Sequence, residues 1–200
     1  GAHSADMAVP GVQVQIIAKS GGNTYHGSVY ADVERENWQS YNIDDDQIAR
    51  GVSSGGGGLS PRDVNRLYSY YDFNAGLGGY IVKDRMWWYG SFRNVDTSVR
   101  VTNFPVKPNQ TILTNFTPKV TYNLTTNNKF IFYSQPSRKH QPNRLDRFRL
   151  NSRVALHSSE ASSFEQFNVY RLWKAEYNTV LSNSTFFEIR TGQYGYDWPD

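Results

Sequence analysis

Apolar and polar residues alternate over stretch after stretch of this chain, and that two-residue period restricts its fold more than any other feature, because only a β-strand sends successive side chains to opposite faces. Tyr25, Gly27, Val29, Ala31 and Val33 share one side of such a stretch, with His26, Ser28, Tyr30 and Asp32 on the other. Phe73, Ala75, Leu77, Gly79 and Ile81 repeat the pattern against Asp72, Asn74 and Tyr80. So do Ile112, Thr114, Phe116, Val120 and Tyr122 against Asn115, Thr117, Lys119 and Thr121, and later Val169, Trp173, Ala175 and Tyr177 against Tyr170, Lys174 and Glu176. A sustained helical period is missing, so the chain is expected to be all-β and antiparallel.

The connections narrow this further. Val82–Arg85, Thr125–Asn128 and Leu181–Ser184 have hairpin lengths, whereas Glu34–Tyr70, Asn94–Gln110 and Gln135–Phe164 are long polar stretches. Unstructured connections that long are out of place in a compact soluble domain. They suit a transmembrane β-barrel, in which short turns at one membrane surface alternate with long loops at the other. The expectation is a partial barrel of about seven strands, the first rising from Thr24. Trp87-Trp88-Tyr89, Phe130–Tyr133 and Phe186-Phe187 follow the three short turns, where an aromatic girdle belongs. A β-sandwich also alternates and would put the same aromatics in its core. The two arrangements differ in whether Tyr25, Val29, Phe73, Leu77, Trp88, Phe92, Phe116 and Val120 face lipid, with His26, Asp72, Asn74, Lys119 and Lys174 on the opposite side.

Composition agrees with a structure wet on one face. Aromatic residues make up 15% of the 200 residues, yet hydrophobic content is only 38%, and mean hydropathy is -0.64. No stretch approaches the roughly 18 apolar residues of a spanning helix, which leaves strand-spanning proteins untouched. Cysteine is absent, which excludes disulfides, thiolate metal sites and a thiol nucleophile. A net charge of +3 is too small to point to nucleic acid. The opening Gly1-Ala2-His3-Ser4 has no signal-peptide pattern.

Two stretches carry a family resemblance. Val12-Gln13-Val14-Gln15-Ile16-Ile17-Ala18-Lys19-Ser20-Gly21-Gly22-Asn23-Thr24-Tyr25-His26-Gly27-Ser28 resembles the passage from the last plug strand into the first barrel strand of TonB-dependent outer-membrane receptors. The likeness is to the Oar-like group, whose members carry a carboxypeptidase-regulatory-like domain. Phe73–Phe92, with Gly76, Gly78 and Gly79 ahead of Lys83-Asp84-Arg85 and Met86-Trp87-Trp88, is similar to that family's second strand, tight turn and third strand. Ala18 stands where threonine is common, and Tyr80 where proline is usual. The resemblance implies that residues 1–22 end a plug domain, and that 23–200 form the first strands and outer loops of the barrel. It also implies a fragment, since a complete plug, a TonB-contacting segment and a terminal aromatic strand are not in the sequence.

The resemblance implies as partners the outer-membrane lipid and lipopolysaccharide, the rest of the same receptor, TonB through an upstream segment, and a bulky solute. It implies residence in the outer membrane of a Gram-negative bacterium. Neither an enzyme activity nor a cofactor nor a nucleic-acid partner is expected.

Lys19, Ser20, Gly21, Gly22 and Asn23 interrupt two alternating runs with residues that tolerate positive φ, so they are the expected plug-to-barrel hinge. Gly76, Gly78 and Gly79 are expected to clear room on the inner face for a closely packed plug. A basic run of Arg138, Lys139, His140, Arg144, Arg147, Arg149 and Arg153 is expected in an outer loop, meeting lipopolysaccharide phosphates or an anionic substrate, unless it is simply a solvated loop. His3, His26, His140 and His157 lack metal-ligand spacing, and Asp44-Asp45-Asp46 lacks the pattern of a calcium loop. Gly55–Gly58 is no phosphate cradle, because no Lys-Ser/Thr follows.

A second function class stays open: a secreted all-β carbohydrate-binding or adhesion module stacking exposed tyrosines and tryptophans on sugars. Asn109, Asn115, Asn123 and Asn183 begin glycan-acceptor triplets that such a module would use in a eukaryote. A hydrolase has no acid/base pair in its favour.

Overall fold

The computed structural model describes residues 18–52, 60–63, 66–101, 104–145 and 163–197. They form one eight-stranded antiparallel sheet. Its strands are β1 (His26–Arg35), β2 (Leu67–Val82), β3 (Met86–Val101), β4 (Phe104–Thr125), β5 (Asn128–Ser134), β6 (Ser137–Leu145), β7 (Ser163–Ser182) and β8 (Thr185–Asp197).

β5 and β6 are two halves of one column. Val120 faces Phe132, and Ile112 faces His140, at the same offset along β4. The break falls at Pro136, which has no amide hydrogen for the ladder. Its carbonyl still accepts from the Phe116 amide at 3.1 Å, and the Gln135 amide donates to the Leu172 carbonyl at 2.7 Å. The sheet is therefore an up-and-down meander of seven columns, the number read from the sequence. The expected barrel closure and plug are not part of what the described residues show.

The three short turns, at Lys83–Arg85, Thr126–Asn127 and Asn183–Ser184, lie at one end of the meander. At the other end two expectations are corrected. Asn94–Gln110 is not a long loop: β3 and β4 stay paired through it as far as Val101 opposite Phe104. Ser137–Leu145 is likewise strand and not loop, so Arg138, Lys139, His140 and Arg144 sit on β6. Polarity misled here because a strand can carry polar side chains on both faces while its backbone remains paired. Asn94 Nδ2 donates to Thr114 Oγ1 and Gln110 Nε2 to Asp96 Oδ1, each at 2.9 Å, so side chains reinforce the extended hairpin. Among the described residues only the β1–β2 connection carries helix, a 3-10 turn (Glu36–Trp38) and α1 (Asp45–Ala49). Asp44 caps α1 by accepting from the Gln47 amide at 2.7 Å. Asp45 and Asp46 pair with Arg62 and Arg50 at the surface.

The register divides the side chains cleanly. Val29, Ala75, Phe92 and Phe116 form one cross-strand row, and Gly79, Trp88, Val120, Phe132 and Ala175 another on the same face. His26, Gly78, Tyr89, Lys119, Tyr133 and Lys174 form a row on the opposite face. Every residue expected to look outward is on the first face, and every one expected to look inward is on the second.

Burial is inverted relative to a soluble domain. Val29 is 74% exposed and Leu77 and Phe116 47%, while Asp72 is 4%, Gln166 4% and Asn168 0% exposed. Water-driven burial works the other way round. No second sheet covers the apolar face among the described residues.

Candidate functional site

The segment Ala18–Asn23 runs onto the polar face at the end of the sheet that holds the short turns. Lys119 Nζ, projecting from β4, donates to the Ala18 carbonyl at 2.9 Å. Gly21 lies against the β2–β3 ladder, where an added methyl would overlap the Gly79 and Trp88 carbonyl oxygens. Gly22 has no atom within 4 Å of that position. The two glycines therefore differ, and neither does what the sequence suggested: the one described glycine with positive φ is Gly51, at 96°. Close backbone approach, not a left-handed turn, is what demands glycine at position 21.

Asn23 ends the segment and is bound on every side. Its Oδ1 accepts from the Asp84 amide at 3.0 Å and from Trp87 Nε1 at 2.7 Å, and its Nδ2 donates to Asp84 Oδ1. Asp84 has a φ of 63°, the left-handed conformation that Asp tolerates in tight turns. Asn23 is thus a pin joining the start of the wall to the first short turn. Of the five expected hinge residues, Lys19 and Ser20 are exposed, Gly21 is wedged, Gly22 is unencumbered and Asn23 is fixed.

The glycines of β2 are also split by the register. The Tyr89 ring lies over Gly76 and Gly78 on the polar face, and the Gly21 backbone approaches Gly78 as well. Gly79 is on the apolar face, contrary to the expectation that it clears the inner side. The Tyr25 ring covers it, and the Tyr25 hydroxyl donates to the Tyr80 carbonyl at 2.7 Å.

Further along the polar face, Arg93 grips the buried Asp72 in two parallel bonds, Nε to Oδ1 at 2.9 Å and Nη2 to Oδ2 at 2.6 Å. This fork satisfies a carboxylate that would otherwise be stranded. Asn115 Nδ2 to Ser137 Oγ at 2.6 Å and Gln141 Nε2 to Thr111 Oγ1 at 2.7 Å continue a surface of amides and hydroxyls.

The described part of the basic run does not gather into one patch. Arg138 and Lys139 point to opposite faces of β6, and Arg144 bonds Gln166 while lying 5.5 Å from the Phe164 ring centroid. Arg147, Arg149 and Arg153 lie outside the described residues. His140 Nε2 is 2.8 Å from Glu165 Oε1, and no group of three metal-ligating side chains occurs among the described residues.

The far rim of β1–β3 was not anticipated. Arg100 binds Glu36 through Nε at 2.9 Å and Nη2 at 3.1 Å, tying the 3-10 turn to β3. Arg66 donates to the Glu36 and Gln39 carbonyls at 2.7 and 2.9 Å and to Asp63 Oδ1 at 3.1 Å. Burial disfavours the Arg66 charge, but its hydrogen bonds with Asp63 and Tyr41 more than offset this and hold its pKa above the ordinary arginine value. Asp63 is a near neighbour in sequence, but Glu36 lies 30 residues from Arg66 and 64 from Arg100, beyond the reach of any local pattern.

The fold and its faces define an all-β protein built on an amphipathic antiparallel meander, polar where it is buried and apolar where it is exposed. Comparison with protein families, curated proteins and solved structures finds no match.

Proposed function

We propose that the chain is part of a TonB-dependent outer-membrane receptor of the Oar-like group, contributing barrel wall and plug exit to the energy-coupled passage of a bulky solute. The observation that carries this reading is the inverted burial. A sheet with Val29, Leu77, Phe92 and Phe116 exposed on one side, and an Asp–Arg fork with buried amides on the other, is stable where lipid covers the first face and water or a plug the second. The lead-in supports it, because Ala18–Gly22 lies on the polar face, where a plug would sit. In this reading the short turns are periplasmic and the β1–β2 rim is extracellular.

These 200 residues hold no cysteine, so an introduced one is the only cysteine within them. Spin labels at Val29, Phe73 and Phe116 and, separately, at Ser28, Asn74 and Thr117 of the full chain reconstituted in bilayers should alternate. Oxygen dissolved in lipid should relax the first group, and a water-soluble nickel chelate the second. Nickel access to both groups alike would mean a sheet in water, and would favour a secreted binding module instead.

A further inference from the structure

Two depressions share the apolar face. A furrow of about 670 Å3 crosses the middle of β1–β4, where Gly27, Ala75, Gly90 and Pro118 leave a dip walled by Trp88 and Phe116. A basin of about 630 Å3 lies at the far end of β1 and β2, with Arg35, Gln39, Tyr41, Asp63, Arg66 and Tyr71 in its wall.

The basin is a built site. Arg66 is only 5% exposed and lies 4.2 Å from the Tyr41 ring centroid, and its Nε, buried, has no hydrogen-bond partner. Arg35 lies 4.9 Å from the Tyr71 ring centroid and, among the described residues, has no carboxylate partner. Asp63 is neutralised by Arg66 and Glu36 by Arg100, so the uncompensated charge of the basin is the Arg35 cation. Guanidinium groups stacked on tyrosine beside amides suit a phosphate carried on a sugar.

The two depressions are in line. Val29 pairs with Ala75 at the furrow and Val33 with Tyr71 at the basin, four residues apart on β2, or about 13 Å at roughly 3.3 Å per residue. Ala31 and Phe73 lie between them on the same face and keep the path apolar. A dry furrow leading to a cationic, tyrosine-lined rim has the order of chemistry of a single amphiphile. We infer that this face binds one phosphorylated glycolipid, with an acyl chain in the furrow and its phosphosugar in the Arg35 basin. This site is distinct from the β6 arginines, and it rests on the outer-membrane reading.

The test uses the full chain purified from outer membranes in dodecyl maltoside, titrated with lipid A and separately with glucosamine 1-phosphate, one phosphosugar unit of its headgroup without an acyl chain. Lipid A should bind saturably, and Arg35→Gln should weaken it about 10-fold or more. Gly90→Leu should weaken it comparably by filling the furrow. Gly90→Ala, whose methyl would meet the Trp88 ring at an ordinary 3.5 Å, should show a smaller loss and keeps the test open if leucine disturbs folding. Without an acyl chain to bury, glucosamine 1-phosphate should bind about 100-fold more weakly. No saturable binding of lipid A, indifference to both substitutions, or equal affinity for the headgroup alone would each overturn the site. Heat-modifiable migration separates the two levels of failure: its absence in the unaltered chain removes the membrane reading, and its presence with unaltered lipid A binding in the variants removes only the glycolipid site.

Discussion

An alanine at Gly21 would put its methyl carbon against the Gly79 and Trp88 carbonyl oxygens and 3.0 Å from the Gly79 nitrogen. All three are backbone atoms of a paired position in the β2–β3 ladder, so they cannot yield without breaking sheet hydrogen bonds. The strain falls on the lead-in segment, which must lift from the polar face. Overpacking of this kind costs about 1–3 kcal/mol, or roughly a 5- to 150-fold shift from docked to lifted. Gly22 is the built-in control: its added methyl meets nothing within 4 Å, and its φ is not positive. Gly22→Ala should be neutral, or stabilising by about 0.4–1 kcal/mol through the unfolded ensemble. Amide hydrogen exchange over residues 18–22 in the bilayer-reconstituted full chain reads the difference. Gly21→Ala should accelerate exchange there and admit large antibiotics through the outer membrane, while Gly22→Ala should do neither. Equal exchange in the two variants would refute the close-approach argument.

Asn23→Ala removes the acceptor shared by Trp87 Nε1 and the Asp84 amide, and should cost about 1–3 kcal/mol, seen as a lower unfolding midpoint and altered tryptophan emission. Asn23→Asp sets a carboxylate beside Asp84 Oδ1 and should be worse than alanine at neutral pH, with the deficit shrinking in acid; a pH-independent deficit would argue against the pin. Arg93→Met strands the 4%-exposed Asp72 carboxylate and should cost about 3 kcal/mol in urea titrations, with much of the loss recovered in Asp72→Asn/Arg93→Met; strict additivity would show that the fork is idle.

Except at Gly79, the face on which each of the expected strand residues lies was legible in the sequence, because alternation is a property of the extended backbone itself and needs no partner. Val29 and Phe116 were readable as one kind of surface and Asp72 and Lys119 as another before any register was known. The short turns were readable for a similar reason, since Lys83-Asp84-Arg85 and Thr126-Asn127 supply their own turn chemistry. Strand length was not legible. Asn94–Gln110 and Ser137–Leu145 are polar and yet paired, because the polarity of a side chain does not report whether its backbone is hydrogen-bonded to a neighbouring strand.

What only the tertiary structure decided were the contacts set by register. Asn23 meets Asp84 across 61 residues, Lys119 reaches Ala18 across 101, and the need for glycine at position 21 arises from two carbonyls of other strands. No local pattern encodes a distance between segments that far apart. They are fixed when the sheet chooses its pairing, and that choice minimises the free energy of the whole meander rather than of any one stretch.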